Sequence, residues 1–189
     1  MDGLLSVFTA FGLSSAAGLN AYLPLLVVAL LARYTDLITL SSPWDILESP
    51  WVIGVLAVLL LIEMLVDKVP AVDTVNDTIQ TFIRPIAGAV LFALGSGAIS
   101  DAHPVLAMIC GLLVAGGVHA VKATARPIIT GTTGGMLNPA VSLLEDVLAL
   151  AMTILAILVP ILGVLLLLLI VIWFIRRRSR RRKEASAVW

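Results

Sequence analysis

The sequence predicts an all-α fold, a polytopic bundle of about six transmembrane helices, on three observations. The chain is 60% hydrophobic and only 13% charged, with a mean hydropathy of +1.11, whereas a soluble domain carries about 25% charged residues. Its apolar blocks have the length of a bilayer crossing: a helix rises about 1.5 Å per residue, so roughly 20 residues cover a hydrocarbon core of about 30 Å. The charge is also segregated. Seven of the twelve basic residues lie between Arg176 and Lys183, leaving five basic against eleven acidic residues up to Ile175. Lys and Arg beside a span stay in the cytoplasm, so residues 176–189 read as a basic cytoplasmic tail rather than as a nucleic-acid or headgroup patch. The expected location is the inner (cytoplasmic) membrane, multi-pass, with the C-terminus cytoplasmic.

Residues 4–33 form the first apolar block and are too long for one upright crossing. The excess is expected in tilt or in a break, which would fall at Ser14-Ser15-Ala16-Ala17-Gly18-Leu19-Asn20, ahead of Pro24. The N-terminal Met1-Asp2-Gly3 lacks the basic region of a cleavable signal, so this block is expected to remain as a span. Residues 51–68 make the second span, from Trp51 to Asp67-Lys68. Residues 85–99 and 104–122 make the third and fourth, both rich in the small residues that let helix backbones approach in lipid. The block from 139 to 175 would overshoot the bilayer as one helix; Pro160 offers a hairpin with spans at 139–158 and 161–175, against a single fifth crossing that would leave Lys68, Arg84, Lys122 and Arg126 external. With six spans both termini are cytoplasmic. Lys68, Arg84, Lys122 and Arg126 then lie inside, and the acidic loop with Asp36, Asp45 and Glu48 lies outside.

Between the second and third spans, residues 72–84 place Val72, Val75, Ile79, Phe82 and Ile83 on one helical face. Asp73, Asn76, Asp77, Gln80 and Arg84 fall on another. This predicts an amphipathic helix lying on the inner interface, as a connector or as a gate. Ala17-Gly18-Leu19-Asn20-Ala21 echoes Gly116-Gly117-Val118-His119-Ala120, which fits an inverted three-plus-three repeat. The echo of Arg84-Pro85-Ile86 in Arg126-Pro127-Ile128 has a different offset and speaks against it.

Polar residues inside apolar blocks are the candidate site, because each costs several kcal/mol in lipid unless it has a partner. Glu63 and Asp67 share a face of the second span. They suit cation or proton binding, or ion pairing that only holds helices together. Asn20 and His119 each need a hydrogen bond in apolar surroundings. Asn138, ahead of Pro139, reads as an N-cap, with Glu145 and Asp146 near the helix start where acidic groups complement the dipole. In the alternative, the Thr130-Gly131-Thr132-Thr133-Gly134-Gly135 stretch is unwound backbone lining a cavity. Lys68, Arg84, Lys122 and Arg126 are candidates for holding an anion or lipid phosphate.

Cys110 is the single cysteine, and no metal cluster, nucleotide loop or hydrolase motif is present. No cofactor, metal site or enzymatic activity is expected. The partner is the bilayer, with an ion, small solute or lipid as substrate, no nucleic acid, and homo-oligomerisation left open.

The stretch Ala16-Ala17-Gly18-Leu19-Asn20-Ala21-Tyr22-Leu23-Pro24, then Glu63-Met64-Leu65-Val66-Asp67-Lys68-Val69-Pro70, then Arg84-Pro85 and Asn138-Pro139 through Glu145-Asp146, resembles a family of small bacterial membrane proteins. That family is catalogued only as a domain of unknown function. The resemblance covers roughly residues 6–178 and implies a membrane location and a fold, not an activity. A translocator, a lipid flippase or scramblase, and a non-transporting scaffold or assembly factor are the three functions the residues leave open.

Overall fold

The computed structural model describes residues 2–67, 70–97 and 103–159. These form helices α1 (Asp2–Leu19), α2 (Tyr22–Tyr34), α3 (Pro50–Val66), α4 (Pro70–Gly95), α5 (Pro104–Thr133) and α6 (Asn138–Val159), with a short 3-10 turn at Trp44–Glu48 before α3. There is no strand among the described residues. The last apolar segment, 161–175, the turn at Pro160, the tail 176–189 and Lys68 lie outside them.

Residue contacts fix the direction of each helix. Ser6 of α1 meets Ser96 just beyond α4, and Ser14 meets Gly88, so α1 and α4 run antiparallel. Ser14 also meets Gly111, and Lys122 reaches Leu19, so α1 and α5 run parallel. Thr9 meets Ala156 while Asn20 meets Asp146, so α6 returns antiparallel to α1. Tyr22 donates its N–H to Asn20 in the turn that Lys122 closes at Leu19, whereas Arg33 bonds the Glu48 carbonyl just before α3. Hence α2 is antiparallel to α3, and it heads back toward the end of the bundle where α1 began. Successive helices therefore alternate in direction, with Asn20, Glu63 and Lys122 at one end and Ser6, Gly95 and Ala156 at the other.

This corrects the expectation for residues 4–33. They are two arms of a hairpin turning at Asn20 rather than one tilted crossing, and α2, about 20 Å long, is shorter than the hydrocarbon core. As a consequence Ser6 lies at the opposite end from Asp67, so the expected placement of the N-terminus beside Lys122 and Arg126 does not hold. The turn is feasible at depth because its backbone is satisfied. Asn20 Oδ1 accepts from the Tyr22 and Leu23 N–H groups at 3.1 and 2.9 Å, and Lys122 Nζ donates to the Leu19 carbonyl at 3.1 Å. One side chain thus covers the positive start of α2 and another the negative end of α1.

Two further expectations change. Residues 72–84 are not a separate interfacial helix: α4 runs unbroken through Pro85. Its polar face points inward, with Gln80 and Arg84 buried while Ile79 and Phe82 are exposed. In lipid the apolar face is the one that belongs outside, so the amphipathic pattern is inverted relative to a soluble helix. The Gly/Thr stretch is likewise not unwound. Residues 130–133 remain helical, with Thr132 and Thr133 hydroxyls bonded to carbonyls of the preceding turn, and Gly134 (φ +61°) and Gly135 (φ +82°) make the turn to α6. Those left-handed angles are why glycine stands there.

The α1–α4–α5 core is built from small residues. A Cβ at Gly111 would collide with the Gly88 carbonyl and with Phe92, and one at Gly88 would collide with Ala115 and the Gly111 carbonyl. The Ser14 hydroxyl, fully buried, lies 2.8 Å from the Gly111 carbonyl and 3.1 Å from that of Gly88. Backbones this close are held by dispersion and by short polar ties, the forces left when solvent is as apolar as the side chains. The large apolar residues face outward instead. Trp51, Val55, Val58, Leu61, Ile62 and Leu65 expose half or more of their surface along α3. A row of that extent is suited to lipid and unsuited to water. Finally, α1 and α5, which carry the two echoing Gly-containing segments, run side by side in the same direction, as Gly18 against Ala115 and Val118 shows. Inverted repeats would run them oppositely.

Candidate functional site

Asn20, Glu63, Asp67, His119, Glu145, Asp146, Arg84, Lys122 and Arg126 all converge at one end of the bundle. They come from five stretches of chain: the α1–α2 turn (Asn20), the end of α3 (Glu63, Asp67), the middle of α4 (Arg84), the second half of α5 (His119, Lys122, Arg126) and the third turn of α6 (Glu145, Asp146). All but Asn20 and Asp146, which pair with each other, are joined by hydrogen bonds and ion pairs, with Asp77 linking Arg84 to Arg126 at 3.9 Å on each side. Arg84, fully buried, donates from Nη2 to Glu63 Oε1 at 3.0 Å, and its Nη1 lies 3.0 Å from His119 Nδ1 and 3.9 Å from Asp77 Oδ1. Arg126 donates to Glu145 at 2.8 Å and to Asp67 at 3.3 Å. Lys122 lies 2.9 Å from Glu145 and 3.7 Å from Asp67, and Asn20 Nδ2 donates to Asp146 Oδ1 at 2.9 Å.

The proton on His119 follows from its neighbours. Arginine only donates, so Nδ1 must accept, and the neutral ring carries its hydrogen on Nε2, which faces the Thr81 hydroxyl at 3.0 Å. That hydroxyl lies 2.8 Å from the Asp77 carbonyl. Both ring nitrogens are occupied, which makes His119 a strut in the network rather than a free ligand.

Asn138 departs from its expected role. Its side chain pairs with the Thr130 hydroxyl across the α5–α6 turn, at 3.0–3.1 Å, away from the ionic cluster. Glu145 and Asp146 are about two turns into α6, too far to serve its N-terminal dipole. They are instead the partners of Lys122, Arg126 and Asn20. Lys68 lies outside the described residues.

Several members were not singled out from sequence. Asp77 and Gln80 belong to the polar face of 72–84, which reads as a headgroup-facing surface until α4 is seen to be central. Their spacing with Arg84 did contain the signal. Asn76, which donates to Asp67 Oδ1 at 2.8 Å, is invisible without the helix packing.

Among the described residues the network holds five carboxylates, Glu63, Asp67, Asp77, Glu145 and Asp146, against three cations, Arg84, Lys122 and Arg126. Buried polar atoms remain without a hydrogen-bond partner at the acceptors Glu63 Oε2, Asp77 Oδ1 and Gln80 Oε1 and at the donor Arg84 Nε. The cluster thus holds more carboxylates than cations. No group of three or more His, Cys, Asp or Glu suited to a metal occurs among the described residues.

On one flank, between α4 and α5, a groove of about 740 Å³ opens onto the network. Asp77, Thr78, Thr81, Arg126 and Thr130 supply its polar lining, and Phe82 and Pro127 its apolar lining. Pro85 and Pro127 lie inside their helices. Lacking N–H, they leave the carbonyls of Thr81 and Ala123 without an i+4 helical donor, and both residues line this groove.

A sheath of lipid-facing apolar side chains around a buried ionic network defines a helical membrane protein. The chain belongs to the family described as Domain of unknown function (DUF4126), whose model matches residues 7–180. No curated protein and no solved structure matched the chain.

Proposed function

We propose that the protein is a small translocator, channel-like or a secondary transporter, that passes an ion or small solute, with a positively charged species favoured. The observation that carries this reading is the convergence of the intramembrane charges at one end of the bundle with excess carboxylate, flanked by an open groove of mixed polar and apolar lining. Scattered, separately paired charges would instead favour a scaffold. The setting proposed is a bacterial inner membrane, with the ionic end and the basic tail on the cytoplasmic side.

The lipid-phosphate reading draws less support, because Arg84, Lys122 and Arg126 each already meet a carboxylate. A headgroup phosphate would have to displace those partners. The scaffold reading is favoured by the short distances within the network, and it predicts that neutralising the charges lowers abundance without a separate transport defect.

Full-length protein in liposomes tests the proposal. Flux of protons, alkali cations or small organic cations above that of empty vesicles is expected, with Asp77→Asn reducing the rate while thermal stability stays near that of the parent. No flux above empty vesicles across the panel would overturn it.

A further inference from the structure

We infer that the groove between α4 and α5 binds a primary ammonium group carried on a small apolar stem, with Asp77 as its counter-charge. This deepens the translocator reading and rests on it only for its use; the site itself stands on the groove and its lining. Of the five carboxylates at the ionic end, Asp77 is the one that lines the groove. Its position among the charges is also unlike the others. Glu63, Asp67, Glu145 and Asp146 each accept a side-chain bond of 3.0 Å or less. Asp77 meets Arg84 and Arg126 only at 3.9 Å, beyond hydrogen-bond range. Both guanidiniums have a nearer carboxylate, Glu63 at 3.0 Å for Arg84 and Glu145 at 2.8 Å for Arg126. Asp77 is therefore the carboxylate left over once the cations are allotted, and its side chain keeps 16% of its surface open.

The rest of the lining selects the ligand. The hydroxyl protons of Thr81 and Thr130 are already engaged, by the Asp77 carbonyl at 2.8 Å and by Asn138 Oδ1 at 3.1 Å, so both residues offer lone pairs to a newcomer. The carbonyls of Thr81 and Ala123 lack a helical donor because Pro85 and Pro127 follow four residues later. A primary ammonium carries three donors and no acceptor, which matches one carboxylate and two under-bonded carbonyls. A guanidinium fork needs both carboxylate oxygens, and Asp77 Oδ1 is closed to the groove. A quaternary ammonium is held by a cage of aromatic rings, and Phe82 is the one aromatic residue in this lining. Calcium and magnesium ions take about six or more convergent oxygens, whereas this groove is open and partly apolar. Its volume, about 740 Å³, lies in the range of about 300–1,000 Å³ that takes a small molecule rather than a bare ion. Phe82 and Pro127 supply the surface for the stem. A free alkylamine and the headgroup of an aminophospholipid share this chemistry.

Protection of a cysteine tests the site. Gly131 lines the groove, and a Cβ there meets nothing within 4 Å, so Gly131→Cys, with Cys110→Ala, places a thiol at the groove in the full-length protein. In phosphatidylcholine nanodiscs, n-butylammonium is expected to slow maleimide labelling several-fold and saturably, and tetramethylammonium or potassium at equal ionic strength to leave it unchanged. Asp77→Asn should lose most of that protection. So should Pro127→Ala, which supplies an N–H to the Ala123 carbonyl and removes a helix-interior proline, so the reading survives if Asp77→Asn folds poorly. No protection by butylammonium overturns the inference, as does equal protection by tetramethylammonium or potassium, or protection that both substitutions leave intact. If the ammonium belongs to a lipid, phosphatidylethanolamine in the nanodiscs slows labelling by itself and raises the butylammonium concentration required; if it belongs to a free amine, the lipid changes nothing. Either result, with butylammonium protection present, supports the site. Failure of the translocator reading looks different: butylammonium protects the thiol while liposomes show no flux. Flux without protection retains the translocator and removes the ammonium site.

Discussion

Replacing Arg84 with Met keeps most of the side-chain volume but removes the guanidinium. In the structure that group is wholly buried and supplies the donor to Glu63 Oε1 and to His119 Nδ1. Glu63 Oε2 has no other bond, so Arg84→Met strands the carboxyl entirely. Breaking a buried ion pair by removing one partner costs about 3–5 kcal/mol. Glu63→Gln is a much milder change. Its amide keeps an acceptor for Arg84 and leaves no buried charge on residue 63, so a cost under about 1 kcal/mol is expected. In the Arg84→Met/Glu63→Gln double variant no ionised carboxylate is stranded, and the two changes should be non-additive by roughly 2–3 kcal/mol. Reversible unfolding of the full chain in mixed micelles, followed by tryptophan fluorescence, measures all four corners of the cycle. A cost below about 1 kcal/mol for Arg84→Met, or strict additivity in the double variant, would refute the pairing described here.

The close backbone approach at the core predicts that Gly88→Val and Gly111→Val each destabilise by at least about 1–3 kcal/mol through overpacking. By contrast Gly117→Ala, whose Cβ meets nothing within 4 Å, is neutral or stabilising by up to about 1 kcal/mol; the same unfolding assay separates them. Asn20→Ala should cost about 1–2 kcal/mol by uncapping α2. Asn20→Asp keeps the acceptor for Tyr22 and Leu23 but sets a carboxylate against Asp146, so it should gain nothing over Ala, and an Asp variant as stable as the parent would discount the Asp146 contact. The hairpin at Asn20 predicts sidedness. With Cys110 replaced by Ala, single cysteines at Ser6 and Ser41 should react with an impermeant maleimide from one side of the membrane and a cysteine at Thr132 from the other. Ser6 and Thr132 labelling from the same side would require α1 and α2 to form one crossing.

Much of this protein is determined by sequence alone, for a specific physical reason. Lipid tolerates only backbone that bonds to itself, so long apolar blocks must be helices. The cost of charge in hydrocarbon singles out Asn20, Glu63, Asp67, Arg84, His119, Lys122, Arg126, Glu145 and Asp146 before any packing is known. Even the break before Pro24 is legible, because a polar Asn after Ala-Gly interrupts a block too long to cross upright. Direction and partnership are not legible. Whether the chain tilts or reverses at Asn20 depends on Lys122, about a hundred residues away, closing the end of α1. The polar face of residues 76–84 has the same periodicity whether it meets headgroups or a buried ionic cluster. Only the packing of α4 between α1 and α5, permitted by Gly88 and Gly111, turns that face inward, sets Asp77 beside Arg84 and Arg126, and buries Gln80.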